Sequence, residues 1–134
     1  MDVEALNQRM LGSFAEKIGF KYLEASPEGI KASLAVRDDL CTVPGIMHGG
    51  ALMAMADSLG AVGTGLNLPR GAGTTTIESK TNFFAPVRTG TTIMAECTPL
   101  HRGKSTMVWQ TRFETEDGKL AALVTQTQIV LTAS

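Results

Sequence analysis

The stretch His48-Gly49-Gly50-Ala51-Leu52-Met53-Ala54-Met55-Ala56-Asp57 decides how this chain folds. It opens with a His-Gly-Gly step and continues as an apolar segment of Ala, Leu, Met and Gly to about Leu66. Because such a segment has no polar face, we predict a helix that is buried on most of its sides. A carboxylate in apolar surroundings is normally paired, hydrogen-bonded or used in chemistry. Asp57 is therefore a candidate reactive group, and the alternative is a structural role as a cap or in an ion pair across an interface.

The glycines at the start of this helix are the second candidate. A helix that begins near His48 leaves the N–H groups of Gly49 and Gly50 without acceptors in the helix, and glycine lets a ligand carbonyl approach them closely. The helix dipole adds partial positive charge at the same place. The pattern favours an oxyanion site, although a tightly packed junction between loop and helix would also use glycine here.

Length and charge limit what surrounds these residues. A chain of 134 residues fits one domain, residues 1–134, and a net charge of −1 gives no electrostatic footprint for nucleic acid or for an anionic membrane. The N-terminus lacks the features of a secretory signal, and no stretch approaches the length of a membrane span, so we expect a soluble cytoplasmic protein. Low aromatic content with seven Met and fourteen Gly suits a cavity for an apolar acyl group, although most Met residues are expected in the core.

The two cysteines, Cys41 and Cys97, lack the spacing of a disulfide framework or a zinc site, and no metal is expected. Cys41 lies seven residues before His48 and could in principle pair with it as nucleophile and base, but no third orienting group is evident. Cys97 alternates within a strand-like run, which favours a place in the core.

The residues on either side of the helix predict one N-terminal helix and six strands. Apolar residues at helical spacing predict a single amphipathic first helix that ends at Gly19: Leu6, Met10, Phe14 and Ile18. We expect strands over residues 20–24, 30–36, 74–84, 91–100, 104–114 and 119–132, with turns at 26–29, 101–103 and 116–118 and breaks at 67–73 and 85–90. This order predicts an α+β fold in which the long central helix packs on one face of an antiparallel sheet.

Three segments resemble one known family. Gly45-Ile46-Met47-His48-Gly49-Gly50 followed by Asp57 resembles the hotdog-fold thioesterases of the PaaI-like branch. Asn82-Phe83-Phe84-Ala85-Pro86 with Gly90, and Arg102-Gly103-Lys104, resemble two further segments of that family, so the resemblance covers most of the chain. It implies a curved antiparallel sheet wrapped around the long helix. It also implies homodimers that join their sheets, with active sites at the interface, and the further pairing of dimers into homotetramers.

The resemblance implies hydrolysis of an acyl- or aryl-CoA thioester to a carboxylic acid and CoA, with CoA as part of the substrate and no separate cofactor. The Gly49 N–H matches the family's oxyanion donor, with Gly50 beside it as a further substrate contact. Asp57 matches the carboxylate, expected from the opposite subunit, which acts as general base or as nucleophile. His48 is a candidate base, but its expected role is to fix the oxyanion loop.

Hydroxyl and basic residues complete the implied site. Thr76, with Thr75 next to it, matches the hydroxyl that holds the nucleophilic water, although three consecutive threonines also simply favour a strand. Thr42 stands where several relatives carry Asn or Gln, and its reach is shorter. Four basic residues are candidates for the CoA phosphates, and surface solubility is the competing explanation: Arg70, Arg88, Arg102 and Lys104. Arg102 and Lys104 match the family best.

Two other functions remain open from the residues. A hotdog enoyl-CoA hydratase or dehydratase would need a catalytic His and an acid that face each other across the interface. A non-catalytic module that binds acyl-CoA would need only the cavity. The position of Asp57 on the helix that follows His-Gly-Gly favours the thioesterase.

Overall fold

The computed structural model describes residues 2–43 and 45–132. Three α-helices, one short 3-10 helix and six strands follow one another in these residues: α1 (Val3–Arg9), α2 (Phe14–Ile18), β1 (Lys21–Ser26), β2 (Gly29–Ala35), the 3-10 helix (Asp38–Leu40), α3 (Gly49–Gly65), β3 (Gly73–Phe83), β4 (Thr92–Arg102), β5 (Thr106–Glu114) and β6 (Leu120–Leu131). The strands form one antiparallel sheet in the order β1-β2-β4-β5-β6-β3. The predicted α+β architecture is therefore confirmed, with α3 packed on one face of the sheet.

The core lies between α3 and the sheet. Trp109 on β5 is fully buried, and its indole Nε1–H donates a 2.8 Å hydrogen bond to Thr64 Oγ1 on α3. Two glycines let the helix approach this closely: a Cβ at Gly63 would come within 2.8 Å of the Trp109 ring, and a Cβ at Gly60 would overlap the side chain of Gln126. The glycines of α3 lower its intrinsic helix propensity, but they allow the helix to pack closely against large side chains of the sheet.

The single chain buries only one side of α3, and the prediction of a helix buried on most sides is wrong for it. Gly50, Asp57 and Gly65 are exposed, whereas Leu52, Met55 and Leu59 are buried. The sheet covers one face of the helix, and the short N-terminal helices cover only part of the remainder. The apolar composition of α3 therefore does not mean that one chain covers every side of the helix.

The single N-terminal helix predicted from apolar spacing is also wrong. α1 ends at Arg9 and α2 begins at Phe14, and between them Gly12 has a φ of +83°, in the left-handed region that favours glycine. The Gly12 N–H donates to the Glu16 carboxylate. Two short helices instead of one still bury Leu6 and Ile18.

Strand β3 lies at one edge of the sheet and pairs only with β6 among the described strands. A bulge between Thr76 and Glu78 leaves Ile77 as the extra residue, so the side of β3 that faces α3 changes from even to odd positions. Thr76 lies opposite Gln128 before the bulge, and Ser79 lies opposite Gln126 after it. Such bulges re-aim side chains, and this one occurs next to the predicted site.

The other strands were predicted with small errors at their ends. His101 and Arg102, for example, were expected in a turn but belong to β4, so the reversal comes between Arg102 and Thr106. Among the described helices, none is long and apolar enough to cross a membrane.

Candidate active site

The start of α3 is held by His48, which is the N-cap of the helix. Its Nδ1 accepts a 2.7 Å hydrogen bond from the Gly50 N–H, and its own backbone N–H donates to the Leu40 carbonyl at 2.8 Å. The prediction that the N–H groups of both glycines are free is therefore wrong for Gly50. The Gly49 N–H has no acceptor within residues 2–43 and 45–132. Of the two glycine N–H groups, that of Gly49 is therefore the one left among the described residues to polarise a carbonyl, and the cap occupies the His48 nitrogen that could have served as a base.

The ring of Phe83 lies against Gly49. A Cβ built on Gly49 would come within 2.7 Å of Phe83 Cζ, although the side chain of Phe83 is still 52% exposed. Phe83 thus forms an apolar wall beside the free N–H. A bound acyl or thioester group at Gly49 would contact this ring.

Thr42 lies in the loop before α3 and holds the two sides of that loop together. Its Oγ1 donates to the Ile46 carbonyl at 3.1 Å, and its backbone N–H donates to the same oxygen at 2.7 Å. The predicted contact of Thr42 with substrate would compete with this bond, because the hydroxyl has a single proton to donate.

Asp57 is joined to the edge strand by a chain of hydrogen bonds. Thr76 Oγ1 donates to Asp57 Oδ1 at 2.6 Å, and Gln128 Nε2 donates to Thr76 Oγ1 at 2.6 Å. Asp57 is exposed, so the prediction of a carboxylate inside apolar surroundings is wrong for one chain, whereas Gln128 is completely buried. Since the proton of Thr76 is directed to Asp57, a water at this hydroxyl could be held only through its remaining lone pair.

Thr75 is not brought to Asp57. It is exposed and lies between Thr74 and Thr76, whose side chains bond to Gln128, so alternation places its own side chain on the other face of β3. Of the two adjacent threonines expected at the site, only Thr76 contacts the carboxylate.

Gly49 and Asp57 lie at separate places on one helix. They are eight positions apart, which corresponds to about 12 Å at the helical rise of 1.5 Å per residue. Within a single chain, the free N–H and the carboxylate therefore cannot act on the same carbonyl group.

Two of the four basic candidates line one groove at the far end of α3. Arg102 and Lys104 lie there with Asn67 and Met107 around a volume of about 500 Å³, and Arg70 and Arg88 do not line it. The Arg102 guanidinium donates to the Pro27 carbonyl at 3.2 Å, so part of its hydrogen-bonding capacity is already used. Lys104 is exposed.

The cysteines do not form a nucleophilic pair with His48. Cys41 and His48 line the same cavity of about 460 Å³ beside α2, but the Cys41 thiol donates to the Arg37 carbonyl at 3.3 Å. Cys97 is in the core, as predicted, and burial raises the pKa of its thiol to about 11. A thiol in that state is a poor nucleophile at neutral pH.

The sequence reasoning missed Gln128, which bonds to Thr76, and the neighbouring buried Gln126, which lies outside the chain of hydrogen bonds to the carboxylate. Both are fully buried on β6, and Gln126 Nε2 lies 3.4 Å from the backbone carbonyl of Asp57. The signal was present in the sequence as two amides at alternating positions that continue the apolar face of Ala122 and Val124, since buried amides require partners.

Known proteins are similar to this chain over most of its length. A family model of the thioesterase superfamily matches residues 44–122, more than half of the chain. The proofreading thioesterase EntH of Cronobacter turicensis is 28% identical over 119 residues, which cover 89% of this chain and 86% of that protein.

Solved structures confirm the hotdog fold. A thioesterase from Haemophilus influenzae matches with a TM-score of 0.92 at 28% identity, covering 98% of this chain and 92% of its own. A mutant of the phenylacetic acid degradation protein PaaI from Thermus thermophilus matches with a TM-score of 0.79 at 28% identity, covering 87% of this chain and 96% of its own.

Proposed function

Because the chain belongs to the thioesterase superfamily and is a thioester hydrolase, we propose that its substrates are acyl-CoA thioesters and that Asp57 and the Gly49 N–H carry the reaction. The observation that supports this most directly is the exposed Asp57 carboxylate, held at Oδ1 by Thr76, on the helix whose first N–H is free. A carboxylate and a preorganised donor are the two groups that thioester hydrolysis needs.

The proposed reaction begins when the thioester oxygen accepts a hydrogen bond from the Gly49 N–H. As a general base, Asp57 takes a proton from water while the water oxygen bonds to the carbonyl carbon. The C–S bond then breaks, CoA leaves as the thiolate and takes up a proton, and the acid is released. As a nucleophile, Asp57 would instead bond to the carbonyl carbon while the C–S bond breaks and CoA leaves as the thiolate, and water would then hydrolyse the resulting anhydride to release the acid and restore the carboxylate.

We propose that a second copy of the chain completes this site. The separation of about 12 Å between Gly49 and Asp57 along α3 supports a site shared by two chains. Strand β3 offers an unpaired edge among the described strands, and Ser79 and Phe83 on its helix-facing side are exposed. Unpaired edges favour pairing, and two-fold symmetry makes such an interface complementary to itself. We propose homodimers joined through β3, which pair further into homotetramers.

The groove at Arg102 and Lys104 is the proposed contact for the phosphates of CoA. An exposed ammonium and a guanidinium with unused N–H groups suit the negative charge of the phosphates.

The proposal includes a cytoplasmic location. The hydratase function is less favoured, since the Nδ1 of His48 is occupied by the helix cap. A pure binding module would not need an oriented carboxylate.

Release of CoA from a panel of aliphatic and aromatic acyl-CoAs tests the proposal when wild type is compared with Asp57→Ala. We expect turnover on at least one substrate and a loss of about 10²–10⁴-fold in kcat for the variant, the usual contribution of a positioned base. Turnover that survives the substitution would remove Asp57 from the mechanism. Binding of acyl-CoA without turnover by the wild type would favour the binding module.

A further inference from the structure

Gln128 is a fully buried amide on the sheet face beneath α3. It lies next to the buried Gln126 on that face of β6 and opposite the buried Met107 on β5, and the face continues with the fully buried Val124 and Ala122. A buried amide lowers stability unless its polar atoms are hydrogen-bonded. Gln128 meets this requirement at Nε2 through Thr76 of the edge strand β3, and at Oε1 it faces the hydroxyl of Thr74, which also lies 2.9 Å from the Ile129 carbonyl.

The hydrogen bonds of Gln128 and Thr76 all donate in one direction, toward Asp57. Thr74 Oγ1 lies 3.1 Å from Gln128 Oε1, which can only accept, and Gln128 Nε2 lies 2.6 Å from Thr76 Oγ1. An amide nitrogen only donates, and a carboxylate only accepts. The Thr76 hydroxyl between them must therefore accept from Gln128 and give its proton to Asp57 Oδ1, 2.6 Å away.

This direction has a consequence for Asp57. An exposed carboxylate on a helix can occupy several rotamers, but a bond to a residue of the rigid sheet favours one of them. Oδ2 of Asp57 makes no hydrogen bond to any residue in the described part of the chain, so it stays available. Oδ1 thus fixes the orientation of the carboxylate, whereas Oδ2 is the oxygen that stays available.

We propose that Gln128 is a positioning residue for thioester hydrolysis: it commits the Thr76 hydroxyl to Asp57 Oδ1 and thereby leaves Oδ2 to take the proton from water or to attack the thioester. This inference rests on the proposed function, in which Asp57 is the reacting carboxylate. Gln128 itself touches neither substrate nor the reacting atoms. It acts through Thr76.

Gln126 provides a matched control two residues earlier on the same strand. It is as deeply buried as Gln128 and also faces α3, but it approaches Asp57 only at the backbone carbonyl, at 3.4 Å. Its Oε1 has no hydrogen-bond partner among the described residues. Removing either amide changes the packing beneath α3, but only the loss of Gln128 releases the Thr76 hydroxyl.

The test compares Gln128→Met with Gln126→Met in the full-length protein, since methionine keeps roughly the side-chain volume and removes the donor. For the acyl-CoA that the wild type hydrolyses best, we expect Gln128→Met to lower kcat about 10- to 100-fold, the scale of a small misplacement of a reacting group. KM should change little. Gln126→Met should keep kcat within about threefold of wild type at a comparable shift in Tm.

A double substitution shows whether Gln128 acts through Thr76. Thr76→Val alone should lower kcat at least as much as Gln128→Met, and the combination should lower it no further, because residues of one chain of hydrogen bonds are not additive. Thr76→Ser, which keeps the hydroxyl, should restore activity. If Gln128→Met does not fold, Gln128→Asn replaces it, because the shorter amide remains polar but no longer reaches Thr76.

Three results would overturn the inference: wild-type kcat in Gln128→Met, equal losses of kcat in the two methionine variants, or additive losses in the double variant. Failure of the proposed function looks different. In that case Asp57→Ala would itself hydrolyse the substrate at the wild-type rate, whatever happens at Gln128.

Discussion

Thr76 Oγ1 on the edge strand β3 lies 2.6 Å from Asp57 Oδ1 on the exposed side of α3 and donates a hydrogen bond to it. This bond places the carboxylate where the open edge of the sheet meets the uncovered part of the helix. A second copy that paired along this edge would approach the carboxylate directly. The proposed reaction and the proposed dimer would therefore meet at this one contact.

Gly49→Pro should abolish most of the activity without unfolding α3. Gly49 is the first residue of the helix, where proline is well tolerated and removes only the N–H. We expect a loss of about 10²–10³-fold in kcat, as for other single oxyanion donors. Gly49→Ala is the control, because it brings the same Cβ against Phe83 and keeps the N–H. Equal kcat values for the two variants would exclude the Gly49 N–H as the donor.

Mixing two inactive variants should restore activity if the site is shared between chains. In a heterodimer of Asp57→Ala and Gly49→Pro, one site has both defects and the other has none. Random mixing by denaturation and refolding should therefore return about a quarter of wild-type activity, since half of the dimers are mixed and each has one intact site. Each variant refolded alone is the control. A mixture as inactive as its components would place both groups of the site in one chain.

Lys104→Ala should weaken the recognition of CoA without changing the chemistry. Lys104 is exposed in the groove beside Arg102, and one exposed charge contributes on the order of 1 kcal/mol, which is roughly a fivefold rise in KM. The matching acyl-pantetheine thioester, which lacks the nucleotide phosphates, should show no such rise. Arg88→Ala serves as the control, because Arg88 does not line this groove. The same KM change with both substrates would argue against phosphate binding here.

Gly63→Ala should destabilise the fold, because a Cβ there would come within 2.8 Å of the buried Trp109 ring. Overpacking of this kind costs about 1–3 kcal/mol. Gly65→Ala, two residues later in α3, has nothing within 4 Å of its Cβ and should stabilise by up to about 1 kcal/mol. Denaturant unfolding measures both. A neutral Gly63→Ala would mean that the indole can move away at little cost.

Stability should fall as the pH rises through the alkaline range. Burial raises the pKa of Tyr22 from 10.0 to about 12 and that of Cys97 from 9.0 to about 11. Above their ordinary values both groups ionise in the unfolded chain but stay protonated in the folded one, so unfolding releases protons and becomes easier as the pH increases. The slope approaches about 1.4 kcal/mol per pH unit for each group within its window.

Denaturant unfolding at several pH values measures this slope. The absorbance of tyrosinate gives a second readout, since Tyr22 is the only tyrosine of the chain. Ionisation of Tyr22 near its ordinary value of 10.0 in the folded protein would contradict the prediction.

Local patterns were sufficient to predict most of the fold. The apolar run after His48 gave α3, and strand-like alternation gave the six strands, including the buried face of β5 with Trp109 and Phe113. The prediction of one N-terminal helix was wrong because the apolar periodicity continues across Gly12, where a positive φ interrupts the helix. Periodicity reports which residues face the core, but not whether the helix between them is continuous.

The candidate site was predicted only in its local parts. Gly49 and Asp57 were identified on one helix, and Thr76 was singled out on the strand, but nothing in the sequence shows that Gln128, 52 residues later, bonds to Thr76. The cap on Gly50 was missed as well, because it depends on the orientation of the His48 ring.

The sequence by itself determined the elements and the types of chemical group that they carry, because helix and strand periods and the chemistry of Gly, Asp and Thr are local properties. Only the tertiary structure decided that Asp57 is exposed and that its partner is Thr76 held by Gln128. It also decided that, among the described residues, the Gly49 N–H has no acceptor while the Gly50 N–H has one. These facts depend on strand order, on the bulge at Ile77 and on which face of α3 the sheet covers. Such contacts join residues far apart in the chain, and their geometry is set by packing of the whole domain rather than by any local stretch.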